Sequence, residues 1–186
     1  MRSFRNFFLI LKLVLIVVIL CTPIKTHAQT INVTGNNWNV IVPPITEAGT
    51  DYSGTYENTN NLTLSGNIPG SLLSLLSGGA VEVTVGYNPT TWHDGLKLYA
   101  KRTGGTTSIT GICLLCSAPI DGDLSYTEIS KTTATPLFTI KFLGPLGLIN
   151  SVNYSDIQIQ LQLSGISVTI PADNYSAEVV FTISAL

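Results

Sequence analysis

The sequence predicts an all-β chain folded as an antiparallel β-sandwich, and two observations carry that prediction. Apolar and polar residues alternate with a period of two in several separate segments, the pattern of strands with one buried and one wet face. The composition supplies turns rather than helices: 16 Gly and 9 Pro stand among 186 residues, while one Met and nine Lys plus Arg leave little of what long helices use. With 45% hydrophobic and 11% charged residues the chain is neither disordered nor a polyelectrolyte.

Taken in chain order, residues 29–34, 38–42 and 61–65 are short strand candidates separated by Gly, Asn and Pro signals. Residues 71–76, rich in Leu and Ser ahead of Gly78 and Gly79, suit a turn or two of helix, a strand or an apolar loop. Val81, Val83 and Val85 alternate with Glu82 and Thr84, and Leu96, Leu98 and Ala100 with Lys97, Tyr99 and Lys101. Residues 106–110 form a weaker candidate. Phe138, Ile140 and Phe142 alternate with Thr139 and Lys141. The clearest case follows, with Ile157, Ile159, Leu161 and Leu163 separated by Gln158, Gln160 and Gln162. After a candidate at 166–170, a long terminal strand places Tyr175, Ala177, Val179, Phe181 and Ile183 on one side. Ser176, Glu178, Thr182 and Ser184 take the other, with Val180 as the exception. Alternation and the lack of helical patterns between strands favour antiparallel pairing in two packed sheets over βαβ units. A membrane barrel needs spanning strands of about 9 to 11 residues and aromatic girdles, which these segments do not match.

The N-terminal segment predicts export. Arg2, Arg5 and Lys12 are basic, residues 13–21 are all apolar, and Thr26-His27-Ala28 has the small residues a signal peptidase reads. Residues 1–28 are therefore expected to be a signal peptide, cleaved before Gln29, with no transmembrane anchor afterwards, since the apolar run falls short of the roughly 20 residues a span needs. Residues 29–186 are expected to form one domain, secreted, periplasmic or at the bacterial cell surface. Four of the nine basic residues lie in the leader, so five face all eleven acidic ones beyond it, a formal charge of −6. That balance excludes nucleic acid as a partner recognised through phosphate neutralisation.

Cys113 and Cys116 are expected to form a local disulfide in an oxidising compartment, because the redox and zinc alternatives lack a helix N-terminus and further ligands. No enzyme activity, cofactor or metal is expected. His93 is the one imidazole beyond the leader, and its neighbour Asp94 points to the opposite face of an extended chain, so adjacency does not orient a catalytic pair. Asp121, Asp123 and Ser125 offer hard oxygens to calcium but fit ordinary turn chemistry as well. Asn32, Asn61, Asn153 and Asn174 each begin an Asn-x-Ser/Thr triplet.

Ile170-Pro171-Ala172-Asp173-Asn174-Tyr175 leading into Val179, Val180, Phe181, Thr182 and Ile183 resembles the closing strand of spore coat protein U and chaperone-usher fimbrial subunits of bacteria. That resemblance implies an immunoglobulin-like or fimbrial-subunit-like sandwich that assembles into surface fibres or coats. Asp173 stands where those families use Gly, and Cys113 and Cys116 are far closer than the fimbrial pair. Glu47 to Tyr52 and Trp92 to Tyr99 also resemble segments of exported bacterial proteins of undefined role. The expected function is a structural or adhesive subunit acting through protein contacts with other surface subunits or itself. Residues 29–42, carrying Ile31, Val33, Val40 and Val42, are either an exchanged donor strand or the first strand of their own domain. The alternative is a carbohydrate-binding module, in which Trp38, Tyr87, Trp92 and Tyr99 stack on sugar faces or, equally, pack the core.

Overall fold

A computed structural model describes residues 29–44, 49, 51–52, 54–58, 62–70, 79–113, 115–122, 124–144 and 148–186, with side chains described throughout except at 148–150. The expected signal segment, the 71–76 segment, Glu47 and Asp123 lie outside the described residues.

Two antiparallel sheets pack face to face. The first contains β1 (Thr30–Thr34), β2 (Tyr56–Glu57), β3 (Leu62–Pro69), β5 (Lys97–Arg102), β6 (Thr106–Ile112), β8 (Thr127–Glu128) and β10 (Leu148–Ser164). The second runs in the order β11 (Ser176–Ala185), β4 (Ala80–Thr91), β9 (Thr135–Lys141) and β7 (Ile120–Asp121). Their inner faces are the alternating residues of the sequence: Val81, Val83 and Val85 from β4, Leu98 and Ala100 from β5, Phe138 and Ile140 from β9, and Phe181 from β11 are all buried in one cluster. Burying a Val, Leu, Ile or Phe side chain contributes about 1.5–3 kcal/mol, so this face supplies the main stabilisation of the sandwich.

β10 is the spine of the first sheet. On one side it pairs with β3 and β2, on the other with β6 and β5, which follow one another along it. The predicted strand at 157–163 is only its second half. Val152 and Tyr154 are buried at even positions, Ile157, Ile159 and Leu161 at odd ones, and Ser155 and Asp156 between them are both exposed. Tyr154 pairs with Gly66 and Ile157 with Leu64, so two residues of β10 oppose Ser65 in a β-bulge. Asp156 has φ 55°, the left-handed conformation that a short polar side chain tolerates best after Gly. The bulge switches the inward parity, which is why periodicity alone stops at Ile157. Thr103 N donates to Gln158 O (2.8 Å) where β5 and β6 are interrupted opposite it.

Tyr154 fixes the edge strand. Its hydroxyl crosses β3 and donates to Thr30 O at 2.7 Å, and burial pushes the phenol pKa up to about 12. Gly66 makes this possible, because a Cβ there would overlap both Thr30 O and the phenol, with Tyr154 Cζ only 2.6 Å away. Next to it Asn67 Nδ2 donates to Asn153 Oδ1 (2.7 Å) and Asn153 Nδ2 to Thr110 Oγ1 (3.1 Å). The Asn153 triplet is thus an amide bridge across three strands.

Two candidate strands are corrected. Residues 38–42 form no strand: Trp38, Val40 and Val42 are partly buried and Asn39 and Ile41 exposed, but they join no ladder. Alternation fixes side-chain direction but does not supply a neighbouring backbone. Residues 166–170 are a turn: Ile170 N donates to Ser167 O (3.0 Å), and Asp51 accepts from Val168 N and Ser167 Oγ. The two-residue strands β2, β7 and β8 are too short to carry a periodic signal.

Candidate functional site

The four aromatic residues expected to contact sugar fall in three places. Tyr87 closes the buried run of β4 and is 7% exposed, with its ring 5.3 Å from Trp92 at a tilt of 51°. Trp92 donates from Nε1 to Leu96 O (3.2 Å), so both rings plug the end of the sandwich where the chain passes from one sheet to the other. The Tyr87 ring is part of the core, the packing role that was open to it beside sugar stacking. Trp38 is half-buried against the core, beside β2. Residues Asn37 to Ile41 and Tyr56 and Glu57 line a cleft of about 400 Å³ there.

The turn after Trp92 explains His93. Its carbonyl accepts from Leu96 N (3.0 Å) and its Nδ1 from Gly95 N (3.1 Å), which assigns the ring proton of the neutral form to Nε2. Asp94 bonds to the Lys131 ammonium; that hydrogen bond and charge, with a smaller contribution from His93, hold the carboxyl below its ordinary pKa, and the same pairing raises that of Lys131. The His93 ring instead meets Tyr175 edge to face at 6.4 Å.

Tyr99 lies on the outer face of the first sheet because Leu98 and Ala100 point inward. Around it Lys97 pairs with Glu128 (3.4 Å), the Tyr99 hydroxyl reaches the same carboxylate (3.5 Å), and Gln162 Nε2 donates to Glu57 Oε1 (3.0 Å). Tyr126 completes this surface: Lys101 Nζ stands 4.3 Å from its ring centroid, and burial, then the Glu57 charge, push its phenol up to about 12. Tyr126 escaped the sequence reading because the two-residue β8 that follows it has no alternation to place it on a face.

Cys113 and Cys116 form the expected disulfide, with Cα atoms 5.7 Å apart. Within that loop Leu115 is 91% exposed at φ 64°. Beside it Thr107, Ile109, Cys116, Ser117, Ala118 and Pro119 line a second hollow of about 440 Å³. The Asp121 carboxylate, one of the oxygens weighed for calcium against ordinary turn chemistry, pairs with Lys141 at 2.8 Å. Among the described residues no cluster of three or more His, Cys, Asp or Glu is placed to hold a metal.

The remaining feature is the rim of the second sheet. β11 pairs with β4 along its whole length, and among the described residues no strand pairs with its other edge, which β1 approaches. In a strand, the N–H and C=O of one residue point to one side and those of the next residue to the other. Leu186 N donates to Ala80 O beside β4 (3.0 Å), whereas Ile183 O accepts from Gln29 Nε2 (2.7 Å) on the outer side. Even-numbered residues therefore bond to β4, and Ala177, Val179, Phe181 and Ile183 present their backbone groups to the rim. Of these groups, Ile183 O is met by Gln29. Only Glu178 is charged in the ten residues, and Val180 on the outer face is 38% exposed.

No protein-family model, characterised protein or solved structure matches this chain.

Proposed function

We propose that the protein is an exported, cell-surface structural or adhesive subunit that acts through protein contacts. The observation that supports this reading is the ten-residue rim strand β11, hydrogen-bonded on one side and nearly uncharged. Edge strands left unprotected by charge, Pro or brevity pair with other chains, and such pairing satisfies backbone groups while side chains select register. β1 pairs with β3 of its own chain and is bonded there by Tyr154, which supports reading it as the first strand of its own domain. The test is cross-linking and size-exclusion chromatography of the protein from exporting cells. Val179→Pro removes one outward-facing N–H without cutting the ladder to β4. Higher-order species that disappear in this variant, with the fold retained by circular dichroism, support the reading. A strictly monomeric parent protein by both methods refutes it.

Carbohydrate binding is the second reading, and it shifts from Trp38, Tyr87 and Trp92 to the outer face of the first sheet. Tyr99 and Tyr126 share that face with Lys101, Glu57 and Gln162, an arrangement of aromatic and hydrogen-bonding groups suited to a pyranose. A glycan array with Tyr99→Ala and Tyr126→Ala decides it: binding lost in both folded variants supports a sugar site, and no binding by the parent protein removes it.

A further inference from the structure

The open edge of β11 can be taken one step beyond the contact-subunit reading, on which this inference rests: its parity selects a partner. We propose that β11 pairs antiparallel with β11 of a second copy of this chain, about a twofold axis through Val180, to join two four-stranded sheets into one.

The outer edge offers the backbone groups of Ala177, Val179, Phe181 and Ile183, so bonded pairs across it must match odd residues with odd ones. A twofold at Val180 does so, setting Val179 opposite Phe181, and Ala177 opposite Ile183 of the other copy, where the Ala177 N–H takes the place of the Gln29 amide on Ile183 O. It overlaps residues 176–184, almost the whole strand. On the outer face Glu178 then lies opposite Thr182, Ser176 opposite Ser184, and Val180 opposite itself. A twofold at Glu178 would set two carboxylates face to face, which is destabilising. A twofold at Val179 shortens the overlap to 176–182 and sets Glu178 against the apolar Val180.

Two further features point to a second copy. Val180 is the one residue that breaks the polar outer face of β11, and at 38% exposure it is the side chain that self-pairing would cover. Most other rim strands are short, β2, β7 and β8 having two residues each and β1 ending after five at Gly35, while among the described residues the seven-residue β6 pairs with β10 alone and is tied beside its other edge by Thr107 Oγ1 donating to Ala118 O. β11 has ten residues with neither Lys nor Pro. A symmetric contact of this kind is isologous, so it closes as a dimer and needs no second surface.

The experiment uses the full chain. Val180 occupies a non-hydrogen-bonded pair, where Cα atoms approach to about 4.5 Å, within the span a disulfide bridges. Val180→Cys should cross-link to itself on mild oxidation and run as a reducible dimer, while Thr182→Cys, four residues from its own copy in this register, should remain monomeric. Cys113 and Cys116 are already bonded to each other. As an independent arm, Val180→Lys and Val180→Glu should each be monomeric and should form a mixed dimer when combined. Cross-linking through Thr182→Cys in place of Val180→Cys overturns the proposal. Assemblies that Val179→Pro dissolves but Val180→Cys does not cross-link mean that another chain occupies the edge, which overturns self-pairing and leaves the contact reading standing. No assembly in any arm removes both.

Discussion

Replacing Tyr154 by Phe should reverse the order of stability between wild type and variant as pH rises. The ring is 2% exposed, and its hydroxyl makes one hydrogen bond, to Thr30 O at 2.7 Å. Phe keeps the ring packing and loses that bond, a net cost of about 0.5–1.5 kcal/mol near neutral pH. The phenol is held at a pKa of about 12 in the folded protein, against about 10 in an unfolded chain. Between those values the unfolded chain has released a proton that the folded protein retains, so stability falls as pH rises. The stabilisation is whole below about pH 10 and is lost through the folded pKa, at about 1.4 kcal/mol per pH unit and about 2.7 kcal/mol at most. Phe has no such loss. Wild type should therefore be the more stable by about 1 kcal/mol near pH 8, and the curves should cross near about pH 11. Urea unfolding followed by the fluorescence of Trp38 and Trp92 at a series of pH values measures this directly, and the other tyrosines cancel in the difference. Equal stability near neutral pH, or two curves that stay parallel into the alkaline range, would refute the assignment of Tyr154 as the buried clasp on β1.

The bulge in β10 predicts that Asp156→Gly is close to neutral while Asp156→Val costs about 1–2 kcal/mol, because a β-branched residue is strained at φ 55°; thermal melts compare them. Leu115→Gly should raise stability by about 1 kcal/mol in denaturant titration, since Leu115 is almost fully exposed and held at φ 64°. Asp51→Ala should speed hydrogen exchange at the Val168 amide, as that carboxylate anchors the turn through Val168 N (2.9 Å), Tyr52 N (2.7 Å) and Ser167 Oγ (3.0 Å). The same bonds, that from Val168 first, hold the Asp51 carboxyl below its ordinary pKa. Its contribution is present above the ordinary carboxylate value and lost as pH falls through the lowered one, so Val168 protection should weaken in acid in the parent and stay low throughout in the variant.

Much of the fold was legible because the information is local. Val81, Val83 and Val85, or Ile157, Ile159 and Leu161, state in their own spacing that they are strand residues and which way they face, and all six are buried. The terminal strand is the fullest case: Ala177, Val179, Phe181 and Ile183 turn inward, and Val180 stands apart as expected. The candidate sites were less legible. Tyr87 and Tyr99 both occupy odd positions in alternating strands, yet one is core and the other surface, since inward parity differs from strand to strand. Tyr126 joined Tyr99 only through the pairing of β8 with β5.

By itself, then, the sequence determined strand character, side-chain facing and the neighbouring cysteines that close a short loop. Tertiary structure alone decided that residues 38–42 find no ladder, that Ser155 and Asp156 shift the parity of β10, and that β11 ends at the rim. The division has one physical cause. A side chain's direction depends on the dihedrals of its own few residues, whereas a backbone hydrogen bond needs a partner strand brought alongside from a distant part of the chain.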